Sequence, residues 1–315
     1  MSNKKAVLPH ISDRLHLTDG GLETTLVFVN GIELPAFSSV VLMVREDGGS
    51  ILDDYFKPYI ATALRHRVPM VLESVTWRAS SDWAEEIGLS AEGLVRANCD
   101  AIDYLKSLRE RFATEDTPMV VSGCVGPRGD GYEPGKLMLP AEAEAYHSAQ
   151  IGVLKEAGAD VITGMTINNT PEAIGMVRAA QRADVPCVIS FTVETDGRLP
   201  TGQTLQEAVE GVDAATDTGA AYYMINCAHP THFNDELDTD EAFMQRIRGL
   251  RGNASMMSHE ELDASTELDS GDPQQFGREY RALLERHGHI NVLGGCCGTD
   301  HRHIEQIFAS CVPAG

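Results

Sequence analysis

Residues 186–230 read "PCVISFTVETDGRLPTGQTLQEAVEGVDAATDTGAAYYMINCAHP", and the fold turns on how this stretch is divided. It opens with an apolar, β-branched run (186–193) and ends with another (221–227), both strand-sized. Between them, in 204–217, Leu205, Ala208, Val209 and Val212 fall on one face of a helix. Thr204 and Glu207 are spaced as a capping box that starts this helix. One strand, one helix and a second strand give one round of a strand–helix alternation.

The same alternation runs from end to end. Strands are predicted at 15–19, 69–76, 118–124, 160–166, 186–193, 221–227, 253–258 and 290–295. "TPEAIGMVRAAQRA" begins a helix with Thr170 as N-cap and Pro171 at its first helical position. "GDPQQFGREYRALLERHG" is capped by Asp272, followed by Pro273, and closed by Gly288. Eight such repeats predict a (β/α)₈ TIM barrel, because a doubly wound sheet does not need eight. No Gly/Ser- or Pro-rich linker divides the chain and no internal sequence repeat is visible, so 1–315 is read as a single barrel domain.

Composition narrows the function. With 43% apolar and 23% charged residues, the 315-residue chain is globular. A net charge of −22 argues against DNA, RNA or an anionic membrane surface as partner, since phosphate-rich surfaces would repel it. It reads as a strongly solvated exterior, of a kind suited to high salt. The longest near-continuous apolar run, "FSSVVLMV" at 37–44, is strand-sized and far short of the roughly 18 residues of a membrane span. "MSNKKAVLPHISDRL" at the start lacks the apolar core of a secretory signal. Seven scattered cysteines suit reduced thiols in a cytoplasm better than a disulfide framework. A homo-oligomer is left open.

Barrel active sites form at the carboxyl ends of the strands. Cys227 closes the sixth predicted strand, and Cys296 and Cys297 close the eighth, so three thiols land on one rim. Long polar loops follow the third (125–139), sixth (228–238) and seventh (259–272) strands on the same side. A catalytic zinc site usually has three protein ligands and one open position. The glycines around 294–298 let both adjacent sulfurs turn toward one ion. Zinc with three thiolates suits a fourth thiol that it keeps deprotonated and reactive, the chemistry of alkyl transfer to sulfur. On spacing alone, ordinary buried cysteines fit the pattern as well. Cys99, Cys124, Cys187 and Cys311 lie in apolar settings and read as buried thiols, although Cys124 ends the third strand on the same rim.

"NCAHP" (226–230) with "GGCCGTD" (294–300), and "DGGLETTL" (19–26), resemble the homocysteine S-methyltransferase family. That family includes betaine–homocysteine methyltransferase and the homocysteine-binding module of cobalamin-dependent methionine synthase. The resemblance runs from about residue 15 to 310, with "GCVGPRGD" (123–130), "FTVETDGRLPTGQTLQEAV" (191–209) and "LRGNAS" (250–255) also similar. It implies Zn²⁺ on Cys227, Cys296 and Cys297. It also implies that Asp19, Gly20 and Gly21 hold the amino-acid end of the acceptor, with Asp19 near its ammonium. Ser74 and Thr76, in "ESVTWRAS", are the matching substrate-contact candidates; plain strand packing is the other reading.

Two departures are visible. Where the family usually has a Glu after the fourth strand, this chain has Met165, and a thioether cannot neutralise an ammonium. Either Asp19 acts with another carboxylate, Glu194 being the nearest in sequence terms, or the acceptor is not homocysteine. Betaine-using relatives place a tyrosine where this chain has Arg78, and a guanidinium there would repel a trimethylammonium. Trp77 and Trp83 could still form an aromatic wall or simply pack. The expected partners are a small-molecule thiol acceptor and an onium methyl donor of the S-methylmethionine kind. A thiol-binding subunit of a corrinoid-dependent methyltransferase and a zinc-bearing thiol sensor are the competing readings.

Overall fold

Apolar strands whose both faces are buried can only sit between a closed interior and a helical coat, and the chain builds both. The computed structural model describes residues 7–312. The amino-terminal stretch read above for a secretory signal lies partly outside them. Eight parallel strands close in sequence order: β1 (His16–Leu17), β2 (Met70–Glu73), β3 (Met119–Val125), β4 (Val161–Ile167), β5 (Cys187–Thr192), β6 (Tyr222–Asn226), β7 (Ile247–Gly252) and β8 (Val292–Gly295). Pairing of Leu17 with both Met70 and Leu293 seals the barrel. This is the predicted (β/α)₈ TIM barrel.

Thr204 and Glu207 form the expected capping box on the helix Leu205–Thr216. Asp272 caps Pro273–Arg286, which ends at His287, one residue before the predicted Gly288. The helix Thr170–Arg182 is capped by Asn169, whose side chain accepts from the Glu172 N–H at 2.9 Å; Thr170 is its first residue instead of its cap. The strand-sized run at 37–44 folds as short 3₁₀ turns, Pro35–Phe37 and Ser39–Val44. No helix among the described residues is long and apolar enough to cross a membrane.

Strand 7 is the main correction. The predicted strand at 253–258 is the loop beyond it; the strand itself is Ile247–Gly252. Arg248 and above all the buried Arg251 disguise it in sequence, because a buried guanidinium is tolerated only where partners from other strands neutralise it.

Side chains from six strands, among them Val71, Val120, Val161, Val188, Tyr222 and Val292, form an apolar plug separate from the main core. Strand alternation then sets Glu73, Ser122, Thr163, Ser190 and Arg251 toward the carboxyl-terminal rim. The barrel floor is apolar and its mouth is polar. Chemistry belongs at the mouth.

Candidate functional site

The three rim thiols converge. Cys227 directly follows β6 in the left-handed region, with φ 56°, and its N–H is held by the Arg251 carbonyl at 3.1 Å. A non-glycine residue there is uncommon and recurs at functional sites. Cys296 and Cys297 leave β8 on a turn where neighbouring chain passes closely. A Cβ on Gly21 would lie 2.5 Å from the Cys296 carbonyl, and one on Gly295 would overlap the Thr299 hydroxyl. Only glycine lets the two loops approach so closely.

The sulfurs of Cys227, Cys296 and Cys297 all lie within 4.8 Å of one another. Cys227 and Cys296 are joined as a disulfide, and Cys297 Sγ lies 3.4 Å from Cys227 Sγ. The pair joins two loops that bring their sulfurs to one point, and Cys99, Cys124, Cys187 and Cys311 stand outside any disulfide, so the chain carries no disulfide framework among the described residues. Reduced, the three rim sulfurs form a soft three-thiolate donor set with an open side, which fits a zinc ion. Cys124 and Cys187 are buried as predicted, whereas Cys99 and Cys311 are only partly so. Burial pushes the Cys187 and Cys311 thiols up to about 12 and that of Cys124 well above its ordinary value.

The convergent sulfurs face a cavity of about 400 Å³. Asp19, Gly20, Gly21, Ser74 and Met165 also line it. Asp19 is buried and fully engaged: Oδ1 accepts from Arg251 Nη2 at 2.7 Å and from Thr18 at 3.2 Å, and Oδ2 from Tyr55 at 2.9 Å. Ser74 shares a 2.6 Å hydrogen bond with Thr76, and the Cys124 N–H donates to Ser74 at 2.9 Å.

Two candidates lie off the cavity. Thr76 is fully buried and donates to the Cys124 carbonyl at 2.6 Å, locking β2 to β3. Glu194 pairs with His259 Nδ1 at 3.0 Å beside the loop after β7. Arg78 sits between the rings of Trp77 and Trp83, at 4.9 and 4.4 Å from their centroids. A guanidinium therefore already uses both tryptophans.

Sequence reasoning passed over four residues. Tyr132 reaches in from the loop after β3 and donates to Cys227 Sγ at 3.1 Å. Its ring stacks on His259 at 4.0 Å, and His259 Nε2 lies 2.9 Å from the Cys227 carbonyl oxygen. Nothing in their neighbourhoods marks these two. The others carried a signal: Glu73 interrupts an apolar strand, and Arg251 stands inside the quoted "LRGNAS". Burial pushes the Glu73 carboxyl above its ordinary pKa. Burial also opposes charge on Arg251, but Asp19 and Glu73 outweigh it and hold its pKa above the ordinary value.

The homocysteine S-methyltransferase family model matches residues 16–311. Homocysteine S-methyltransferase 2 of Zea mays is 24% identical over 92% of this chain and 87% of its own. Methionine synthase of Mycobacterium leprae is 23% identical over 77% of this chain; the chain spans about a fifth, 21%, of that protein's length. Among solved structures, the oxidized form of the Escherichia coli homocysteine methyltransferase MmuM superposes with a TM-score of 0.74 at 18% identity, covering 96% of this chain and 97% of that one. Its metallated form gives 0.71 at 17%, covering 95% and 96%. At that identity the likeness is one of fold. The family match spans most of the chain, from β1 to the final helix, and the chain belongs to the homocysteine S-methyltransferase family.

Proposed function

We propose that this protein is a zinc-dependent S-methyltransferase that moves a methyl group from a sulfonium or related onium donor to homocysteine. The observation that carries the reading is the convergence of three thiol sulfurs, within 4.8 Å of one another, on the cavity that Asp19, Gly20 and Gly21 also line. Cys227, Cys296 and Cys297 would hold the ion. Zinc, when bound, lowers the pKa of a thiol and keeps its sulfur nucleophilic.

The chain's own residues supply the rest. The Asp19–Gly21 loop and Ser74 orient the acceptor against the rim, converting an encounter into an aligned attack. The acceptor sulfur forms a bond to the donor's methyl carbon as the carbon–onium bond breaks, and the donor leaves with the electron pair as a neutral molecule. Arg78 occupies the tryptophan faces that a trimethylammonium would need, which disfavours betaine and favours a donor carrying a carboxylate for Arg78 to pair with. The three thiolates require a reducing compartment such as the cytoplasm, and 1–315 acts as one barrel domain.

The test is metal content and methionine formation from homocysteine, with S-methylmethionine, dimethylsulfonium compounds and betaine compared as donors. About one zinc per chain is expected, with activity on the sulfonium donors. Cys297→Ala should lose metal and activity together; full activity without metal would sink the reading. Turnover with a purified small-molecule donor also separates it from a corrinoid-partnered subunit, which would need a second protein.

A further inference from the structure

The cavity floor holds two charged groups whose hydrogen bonding is incomplete. Glu73 and Arg251 both line the cavity and are both buried. Glu73 Oε2 has no hydrogen-bond partner among the described residues, and neither has Arg251 Nη1. The hydroxyls of Ser122 and Thr163 interact with the carboxylate and are also bonded to each other at 2.8 Å, which still leaves Oε2 without a partner. Arg251 Nη1 is 3.8 Å from Glu73 Oε1, too long for a hydrogen bond. A buried polar atom left unpaired is costly and calls for an explanation. Here two of opposite sign belong to residues that line one cavity.

We infer that Glu73 and Arg251 are the specificity-determining clamp for the amino-acid end of the acceptor, Glu73 taking its ammonium and Arg251 its carboxylate. The inference rests on the amino-acid thiol reading above and names the residues that enforce it. A ligand bearing only one charge would complete only one of the two groups. An α-amino acid carries an ammonium and a carboxylate on one carbon, and so satisfies both.

Elimination points the same way. Met165 offers no charge, and Glu194 lies off the cavity on His259. Both oxygens of Asp19 already accept hydrogen bonds, one from the far side of the Arg251 guanidinium. Asp19 and Glu73 together outnumber Arg251 by one charge, which leaves an anionic excess for an ammonium. Of the two buried carboxylates that line the cavity, Glu73 is the one with an unpartnered oxygen.

The test uses ligands that need neither metal nor methyl transfer. Calorimetry would compare methionine with 4-(methylsulfanyl)butanoate, which lacks the ammonium, and 3-(methylsulfanyl)propylamine, which lacks the carboxylate. Wild-type protein should bind methionine roughly 30-fold or more tightly than either, as expected when one partner of a buried charge pair is removed. Glu73→Gln should cost methionine roughly the same factor and leave the butanoate unchanged, so that the two bind alike. Glu73→Asp, which keeps the charge and shortens its reach, should fall between. The readout is a ratio of ligands within one variant, so a general loss of stability does not imitate it. Equal weakening of both ligands, or an unchanged ratio in Glu73→Gln, overturns the clamp. A wild-type protein that methylates a thiol while binding all three ligands alike also overturns the clamp and leaves methyl transfer standing. The reverse result, selective methionine binding without methylation of any thiol, supports the clamp and removes the methyl-transfer reading.

Discussion

Arg251 donates from Nη2 to Asp19 Oδ1 at 2.7 Å, with both side chains buried, and so ties the rim of β7 to the rim of β1. Its Nε also donates to the Gly295 carbonyl at 3.0 Å, one residue before Cys296. One guanidinium therefore braces the Asp19 loop and the turn that carries two of the thiols. Arg251→Met should destabilise the fold by about 3–5 kcal/mol, because it strands a buried carboxylate. Urea unfolding measures this directly. A loss under about 1 kcal/mol would mean that Asp19 finds another partner or takes up a proton.

His259 spans from Glu194 Oε1, at 3.0 Å, to the Cys227 carbonyl oxygen, at 2.9 Å, with Tyr132 stacked on its ring. Such outer contacts orient metal ligands and typically shift affinity 10–100-fold. His259→Ala should raise the zinc Kd by about 10-fold or more, read by competition with a chromophoric chelator. An unchanged Kd would reduce the bridge to a loop support.

Thiol reactivity should divide the cysteines by burial. Under reducing, metal-free conditions at mild alkaline pH, iodoacetamide should label Cys296 and Cys297 first, both partly exposed. Cys124 and Cys187 should resist, since burial removes access and pushes their thiols above the ordinary range. Cys311, held at about 12 largely by burial, should react slowly despite its partial exposure. Peptide mass mapping gives the order, and prior loading with zinc should protect the rim pair. Early labelling of Cys187 would contradict the closed core.

His16 should make the fold acid-sensitive. Burial lowers its pKa from 6.5 to about 4, against weaker opposing hydrogen bonds. The unfolded chain then binds a proton that the native state refuses, so stability is full above pH 6.5 and falls as the pH drops toward 4. The fall is up to about 3 kcal/mol from this residue alone. Denaturation across pH 7 to 4 should show that slope, and His16→Gln should flatten it. An unaltered slope would assign acid sensitivity to other groups.

Much of this architecture was legible in the chain. Strand and helix periods alternate eight times, and local caps such as Thr204–Glu207 and Asp272 fall where expected, because both depend on residues within a few positions of one another. The placement of Cys227, Cys296 and Cys297 on one rim followed from topology alone. Strand 7 did not follow, since Arg251 in a barrel interior is stable only beside Asp19, and sequence pattern does not see a partner on β1. Glu194 went astray for the same reason: closeness along the chain to the end of β5 says nothing of His259, which claims it across the rim.

By itself, then, the sequence determined the barrel, its polarity and the meeting of three thiols on one rim, all consequences of short-range periodicity and of parallel connection. Only the tertiary structure decided which buried charges pair, which remain open, and that Tyr132 reaches the Cys227 sulfur and His259 the Cys227 carbonyl from other loops. Charge burial is settled by neighbours from distant strands within a few ångströms, where desolvation and Coulomb terms are large and nearly cancel.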